Sequence, residues 1–345
     1  MRLESRLLLL CALLLTSGAT VAGFSVPLEN REKVVQVNCA RRGSINAALD
    51  KHKDAASLLI KISGICTENV VVERNAVTLL GTDPAVDGVR APPGSNTAVL
   101  IDGSRDVILQ NLQVTGGAAH GVRVAHSEAR LIHCRVEGNQ SGADVQWSNF
   151  SAEDSTFSFN TLVGLALYSG SFGRCTRCIV ADNIGGSFSE GLEIGDGSFI
   201  NLFDSDISGS DTAIFVANSR VIVRPGSTVS ASRLAVSAHA GAVVHLDLDD
   251  EPFAGSIEVE NSIASVNGNQ TLNPNPDGNT VGNTSHLNVG PGASLLGLNI
   301  GGFSSAVVAA GSAIVGNLSC GSGGDAFCVD PSNVTGSSTC GQCPK

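Results

Sequence analysis

Between Arg105 and Gly241 the chain repeats itself every 21 to 27 residues, and that period constrains the fold more than any motif does. The segments run 105–127, 128–149, 150–170, 171–197, 198–219 and 220–241. Each holds a short alternating run, a polar turn with Asn, Gly or Ser, and a second alternating run. In the second run Val122 and Val124, Ala143 and Val145, Leu165 and Leu167, Leu192 and Ile194, Ile214 and Val216, and Leu234 and Val236 fall into register. Alternation at period two puts each pair on one face of a strand. One such strand buries little on its own, whereas stacked coils bury a continuous column. Helical solenoids need longer repeats with a helical period, and hexapeptide coils are shorter. The period therefore predicts an all-β fold, a right-handed parallel β-helix: a single-stranded solenoid of short strands.

The first run supplies further columns. Leu112, Cys134, Ser155, Cys178 and Ser205 align, followed two residues later by Val114, Val136, Phe157, Val180 and Ile207. Asn139, Asn160 and Asn183 then share one turn position, where stacked side-chain amides can hydrogen-bond from coil to coil. They read as structural ladder residues. The 345 residues include 40 Gly, and only 15% are charged, which suits a turn-rich β solenoid. A net charge of −11 argues against nucleic acid and anionic membrane surfaces as partners.

Both ends of the chain carry signals of their own. Arg2 and Arg6 precede an apolar run from Leu7 to Leu15, and small residues lead to Ala22 and Gly23. This predicts a secretory signal over 1–23 and a single β-helix domain over 24–345. No later stretch is long enough to span a membrane as a helix. The expected localisation is secreted, periplasmic or cell-surface, where disulfides persist. Cys39 and Cys66 flank SINAALDKHK, a short amphipathic helix with Ser44 as N-cap, which would close the first coil as a cap over 36–66. Cys320, Cys328, Cys340 and Cys343 cluster at the other end and predict two bridges in an open pairing. Between the caps lie regular coils over 67–250, a loop insertion over 267–285, and final coils with a Cys-rich cap over 286–345. Cys175 and Cys178 read as buried thiols or as a local bridge. Cys134 and Cys178 share a column two coils apart, too far for a disulfide at about 4.8 Å per coil.

The helix SINAALDKHK, the following LLIKISGICTENVVVE and the Asn-bearing coils resemble secreted bacterial right-handed β-helix repeat proteins of the pectin-lyase-like superfamily. The resemblance covers most of the chain and implies the coils and caps. It implies no one chemistry, because that superfamily includes lyases, glycoside hydrolases, epimerases, adhesins and tailspikes. The Asn-Thr-Asp, Gly-His-Gly and Arg-Ile-Lys signatures of polygalacturonases are absent, and His120-Gly121 is only a fragment of one.

Strand alternation also identifies the outward residues. One column reads Arg123, Asp144, Ala166, Glu193 and Phe215, and the next reads Ala125, Gln146, Tyr168, Gly195 and Ala217. The turn after them carries His126, Trp147, Ser169, Asp196 and Asn218. An aromatic ring stacks on the apolar face of a sugar, while carboxylates and Arg bind hydroxyls. Arg123, Gln146, Trp147, Tyr168 and Asp196 are therefore the candidate carbohydrate-contacting set. Asp144 and Glu193 stand two coils apart, roughly 9.6 Å between backbones. That suits an inverting pair, one carboxyl as acid and one activating water, and makes them the candidate catalytic residues. Asp247, Asp249, Asp250 and Glu251 offer oxygen ligands for Ca²⁺, but no calcium motif surrounds them, so no metal or cofactor is expected. The primary expectation is a carbohydrate- or partner-binding envelope protein. A polysaccharide lyase or glycoside hydrolase, or a structural spacer, stands as the alternative. Oligomeric state is left open.

Overall fold

Parallel pairing from coil to coil is the organising contact. A computed structural model describes residues 32–185, 188–248, 253–268, 271–272, 278–328, 334–341 and 343. The signal segment 1–23 and the acidic residues Asp249, Asp250 and Glu251 lie outside the described residues. One face, here face A, stacks fourteen parallel strands from Lys33–Asn38 to Asp325–Cys328, so the chain winds through about 13 turns. Face B holds short strands such as Arg135–Glu137, Thr156–Ser158 and Ile179–Ala181. Face C holds His120–Ala125, Ser141–Gln146, Val163–Tyr168 and Glu190–Ile194. Faces B and C fuse into single 12-residue strands at Asp206–Ala217 and Thr228–His239, where the intervening turn is lost.

The apolar columns read from the sequence form the core. Val122 pairs in register with Ala143, Ala143 with Leu165, and Leu165 with Leu192, and all are fully buried. Each coil contributes two or three such side chains per face, and burial of the stack supplies the main driving force.

The turns are held by polar ladders. The Asn139 and Asn160 side-chain amides donate up the stack to Asn160 and Asn183, at 3.1 and 3.0 Å. At the corner between faces C and A, the Ser104 N–H donates to Ser127 Oγ (2.9 Å), and that link repeats through Ser148, Ser171, Ser198 and Ser219. At the A–B corner Cys134 and Cys178 occupy rungs of a third ladder, their backbone N–H groups donating to Ser155 and Ser205. Both thiols and that of Cys175 are buried and free, so the local Cys175–Cys178 bridge does not form.

The N-terminal cap follows its sequence signals. Helix Ile45–Lys51 is capped by Ser44, whose side chain accepts from the Ala47 N–H, and Cys39 is bridged to Cys66. The solenoid nevertheless begins before this cap, because Lys33–Asn38 already pairs with Leu58–Ser63 along its full length. The helix thus interrupts the first coil. At the other end Cys320 joins Cys340 and Cys328 joins Cys343. Within the expected loop over 267–285, Thr271–Leu272 and Thr280–Gly282 are paired strands, and Ser285 continues the corner ladder. Its Asn-, Gly- and Pro-rich composition masks short strands that alternation alone does not reveal. Among the described residues no helix is long and apolar enough to cross a membrane.

Candidate functional site

Register places the predicted outward column as expected. Arg123 pairs with Asp144, Asp144 with Ala166, Ala166 with Glu193, and Glu193 with Phe215. Gln146 pairs with Tyr168 one position further on. These side chains point away from the core, yet Asp144 is only 5% exposed and Ala166 only 2%. An outward alanine can be that covered only if its neighbours rise around it. The column is therefore a recess whose floor is Ala166, with Asp144 on one side and Glu193 on the other.

Two further residues join it that alternation did not select. His120 and Glu190 each precede a glycine, Gly121 and Gly191, at the start of a face C strand. Gly121, Gly142, Gly164 and Gly191 form a column with no room for side chains: the asparagine ladder crowds the first three, and the Ala213 carbonyl and Ile207 crowd Gly191. A Cβ at Gly142 would lie 2.8 Å from Asn160 Nδ2 and 2.4 Å from the Gly164 carbonyl oxygen. The residue before each glycine is turned outward, and that x-Gly position is the signal that would have found His120 and Glu190.

The electrostatics of the recess are unusual for a solvated face. Arg123 Nε stands 3.9 Å from Asp144 Oδ1, and its guanidinium donates to Gln146 Oε1 at 3.4 Å. Burial raises the Asp144 carboxyl above the ordinary carboxylate range, opposed by the nearby His120 and Arg123. Burial lowers the His120 imidazole, aided by Arg123 and opposed by Asp144. Glu190 is pushed up to about 8, first by burial and then by the adjoining Glu193 carboxyl. Tyr168 is raised by burial and by the approach of its hydroxyl to Glu193. Three buried polar atoms, His120 Nδ1, Asp144 Oδ1 and Glu190 Oε2, have no hydrogen-bond partner. Buried polar atoms are seldom left so, and three in one recess point to groups that a ligand would complete.

Tyr168 leans over Gly195, where a Cβ would stand 3.0 Å from its ring. Eight residues separate strands Ile179–Ala181 and Glu190–Ile194, against four between Thr156–Ser158 and Val163–Tyr168. Leu162, Ile184 and Phe188 on these turns are exposed and form an apolar rim. Trp147 and Asp196 are not brought into the recess. Both occupy left-handed turn positions, φ 49° and 56°, at the C–A corner. Trp147 stacks on His126 with ring centres 4.9 Å apart and lines a corner cleft with Arg105, Glu128 and Asn149. The left-handed residue swings its side chain out of the strand's alternation, which is why the tryptophan leaves the tyrosine's face.

The model of the family described as "Right handed beta helix region" matches residues 83–230. The chain carries a right-handed β-helix. Solved structures agree on the β-helix. The Agl-KA catalytic domain superposes with a TM-score of 0.51 at 11% identity, covering 87% of this chain and 65% of that one. This β-helix thus spans just under two thirds of the Agl-KA catalytic domain. DFA-IIIase from Arthrobacter chlorophenolicus A6 gives 0.51 at 10% identity, covering 89% of this chain and 88% of that one. The same enzyme in complex with GF2 gives 0.51 at 11% identity, covering 82% and 93%. At such identities the likeness concerns the fold. No curated protein matches the chain.

Proposed function

We propose that the face C recess cleaves a glycosidic bond, and that this β-helix is a glycan-acting hydrolase rather than a binding surface alone. One observation carries the reading. Glu190, its carboxyl pushed up to about 8 by burial and by the neighbouring Glu193, faces a second carboxyl, Asp144, across the alanine floor. The two sides lie two coils apart, roughly 9.6 Å by coil rise, with Ala166 between them. Inverting hydrolases hold their carboxyls about 6.5–9.5 Å apart.

In this reading the proton held by Glu190, beside Glu193, passes to the glycosidic oxygen as the bond from that oxygen to the anomeric carbon breaks. Asp144 takes a proton from the water that attacks the same carbon from the opposite side. Arg123, Gln146 and the Tyr168 hydroxyl bind sugar hydroxyls. Burial of both acids keeps one protonated at neutral pH, as general acid catalysis requires. The β-helices of similar architecture support the reading in kind, since they include the Agl-KA catalytic domain and a DFA-IIIase solved with GF2. We also propose that the chain acts outside the cytoplasm, which its three disulfides support.

The test is reducing-end release from a broad polysaccharide panel by the purified protein, with the anomeric configuration of the product followed by NMR. Release that is lost in Glu193→Gln and in Asp144→Asn, with folding intact, is the expected result. No release across the panel, or release that survives both changes, would remove the catalytic assignment. N-terminal sequencing of the protein recovered outside expressing cells tests export.

A further inference from the structure

Two clefts lie away from the carboxylates. They lie on face A, around the corner, where three consecutive coils place Phe172, Phe199 and Arg220 in one register column. Phe172 is 60% exposed and meets Phe199 edge-to-face at 6.0 Å. The Arg220 guanidinium sits 5.7 Å from the Phe199 ring centre, and that of Arg174 lies 4.7 Å from the ring of Phe203. A cleft of about 440 Å³ runs along Phe172, Phe199 and Arg220, and a second of about 320 Å³ adjoins it across Phe172, Arg174 and Asn201.

Two features of this strip suggest a ligand. Arg123, Arg130, Arg135, Arg177 and Arg233 all pair with carboxylates. Arg174, Arg220 and Arg224 have no carboxylate within ion-pair distance among the described residues. Arg220 and Arg224 are close enough to His245 to depress its imidazole, after the larger effect of burial. On a chain of net charge −11, three guanidinium groups without a carboxylate partner gather on this one strip. The second feature is Asn201 Oδ1, which lines the cleft, is buried and has no hydrogen-bond partner.

We infer that face A is a second, non-catalytic binding site for a carboxylate-bearing polysaccharide chain. Phe172 and Phe199 offer ring faces and edges to the C–H face of a sugar. Arg174 and Arg220 are free to take carboxylates in bidentate fashion, and Asn201 accepts from a hydroxyl. The residues recur one per coil, so the strip suits a chain lying along the solenoid axis. This site shares no residue with the recess and stands or falls apart from it.

The probe is polygalacturonate, with dextran as the neutral control, in affinity electrophoresis and calorimetry on the full chain. Retardation by polygalacturonate and not by dextran is expected. Arg174→Gln with Arg220→Gln should weaken it by at least tenfold, and Phe172→Ala by about three- to tenfold. All three positions are exposed, and an unchanged melting temperature confirms the fold. Glu193→Gln should bind as tightly as the parent. Absence of retardation overturns the inference, as does retardation that the double Arg change leaves intact. Equal retention of the parent and Phe172→Ala reduces the strip to a diffuse charge effect and overturns ring recognition. Loss of binding in Glu193→Gln assigns the contact to the recess and overturns a separate site.

Discussion

Faces C and A are built from the same coils, with the same pitch and the same parallel register, yet they present opposite chemistry. Face C buries Asp144, half-buries Glu190 and Glu193, and leaves three polar atoms without partners. Face A keeps Arg174 and Arg220 in solvent against phenylalanine rings. The difference arises at the turns. Before face C, Ile184 and Phe188 stand exposed between the strands Ile179–Ala181 and Glu190–Ile194, whereas the corner from C to A turns tightly through one or two left-handed residues over a serine ladder. A solenoid therefore makes a recess by lengthening a turn and a track by keeping it short.

Four substitutions or conditions would break or sharpen this contrast. The largest effect is expected from Glu193→Gln, which should lower kcat at least about 10²-fold in reducing-end assays and leave polygalacturonate retention on face A unchanged. Ala166→Leu would fill the floor between the two carboxyl sides. It should cut turnover at least about tenfold and lower stability by about 1–3 kcal/mol in urea denaturation.

A pH titration of the melting temperature comes next. The Glu190 carboxyl, pushed up to about 8, binds its proton more tightly in the folded chain than in the unfolded one. Its contribution is fully present below the ordinary glutamate value and is lost as pH rises through about 8. Melting temperature should fall between about pH 5 and pH 9, and Glu190→Gln should flatten that slope. Asp87, Asp154 and Glu153 are lowered and act in the opposite sense in more acidic solution, and the lowered His120 and His245 oppose the fall at the acid end of the window, so the difference between the parent and Glu190→Gln is the readout. The smallest effect is expected from Trp147→Ala. Its ring stands at the corner, so turnover should change by less than about twofold and stability by about 0.5 kcal/mol or less. A large loss of turnover would draw the corner cleft into the active face.

The coils were legible because each strand alternates strictly, and the same alternation exposed Arg123, Asp144 and Glu193 as one outward column. It failed wherever the backbone leaves the extended region. At Trp147 a left-handed turn carried the ring around the corner. At His120 and Glu190 the glycine behind each residue broke the alternation, and only the tight fit of that glycine, Gly121 against Asn139 and Gly191 against Ala213 and Ile207, explains why they face the recess. The rings of Phe172 and Phe199 sat in plain alternation on two neighbouring face A strands. Their meaning emerged only with the unpaired arginines beside them.

The column of Asp144, Ala166 and Glu193 has a consequence for how such a protein can change. Hydrogen-bonded coils do not slide by fractions, so the gap between two acids on one column comes only in whole steps of about 4.8 Å. Carboxyl spacing on such a column is a digital quantity. Moving one carboxyl to position 166 would halve the gap, towards the roughly 5 Å at which a carboxylate attacks sugar directly instead of activating water. If the recess hydrolyses glycans as proposed, two codon changes would thereby select between two stereochemical outcomes that other scaffolds reach by gradual remodelling.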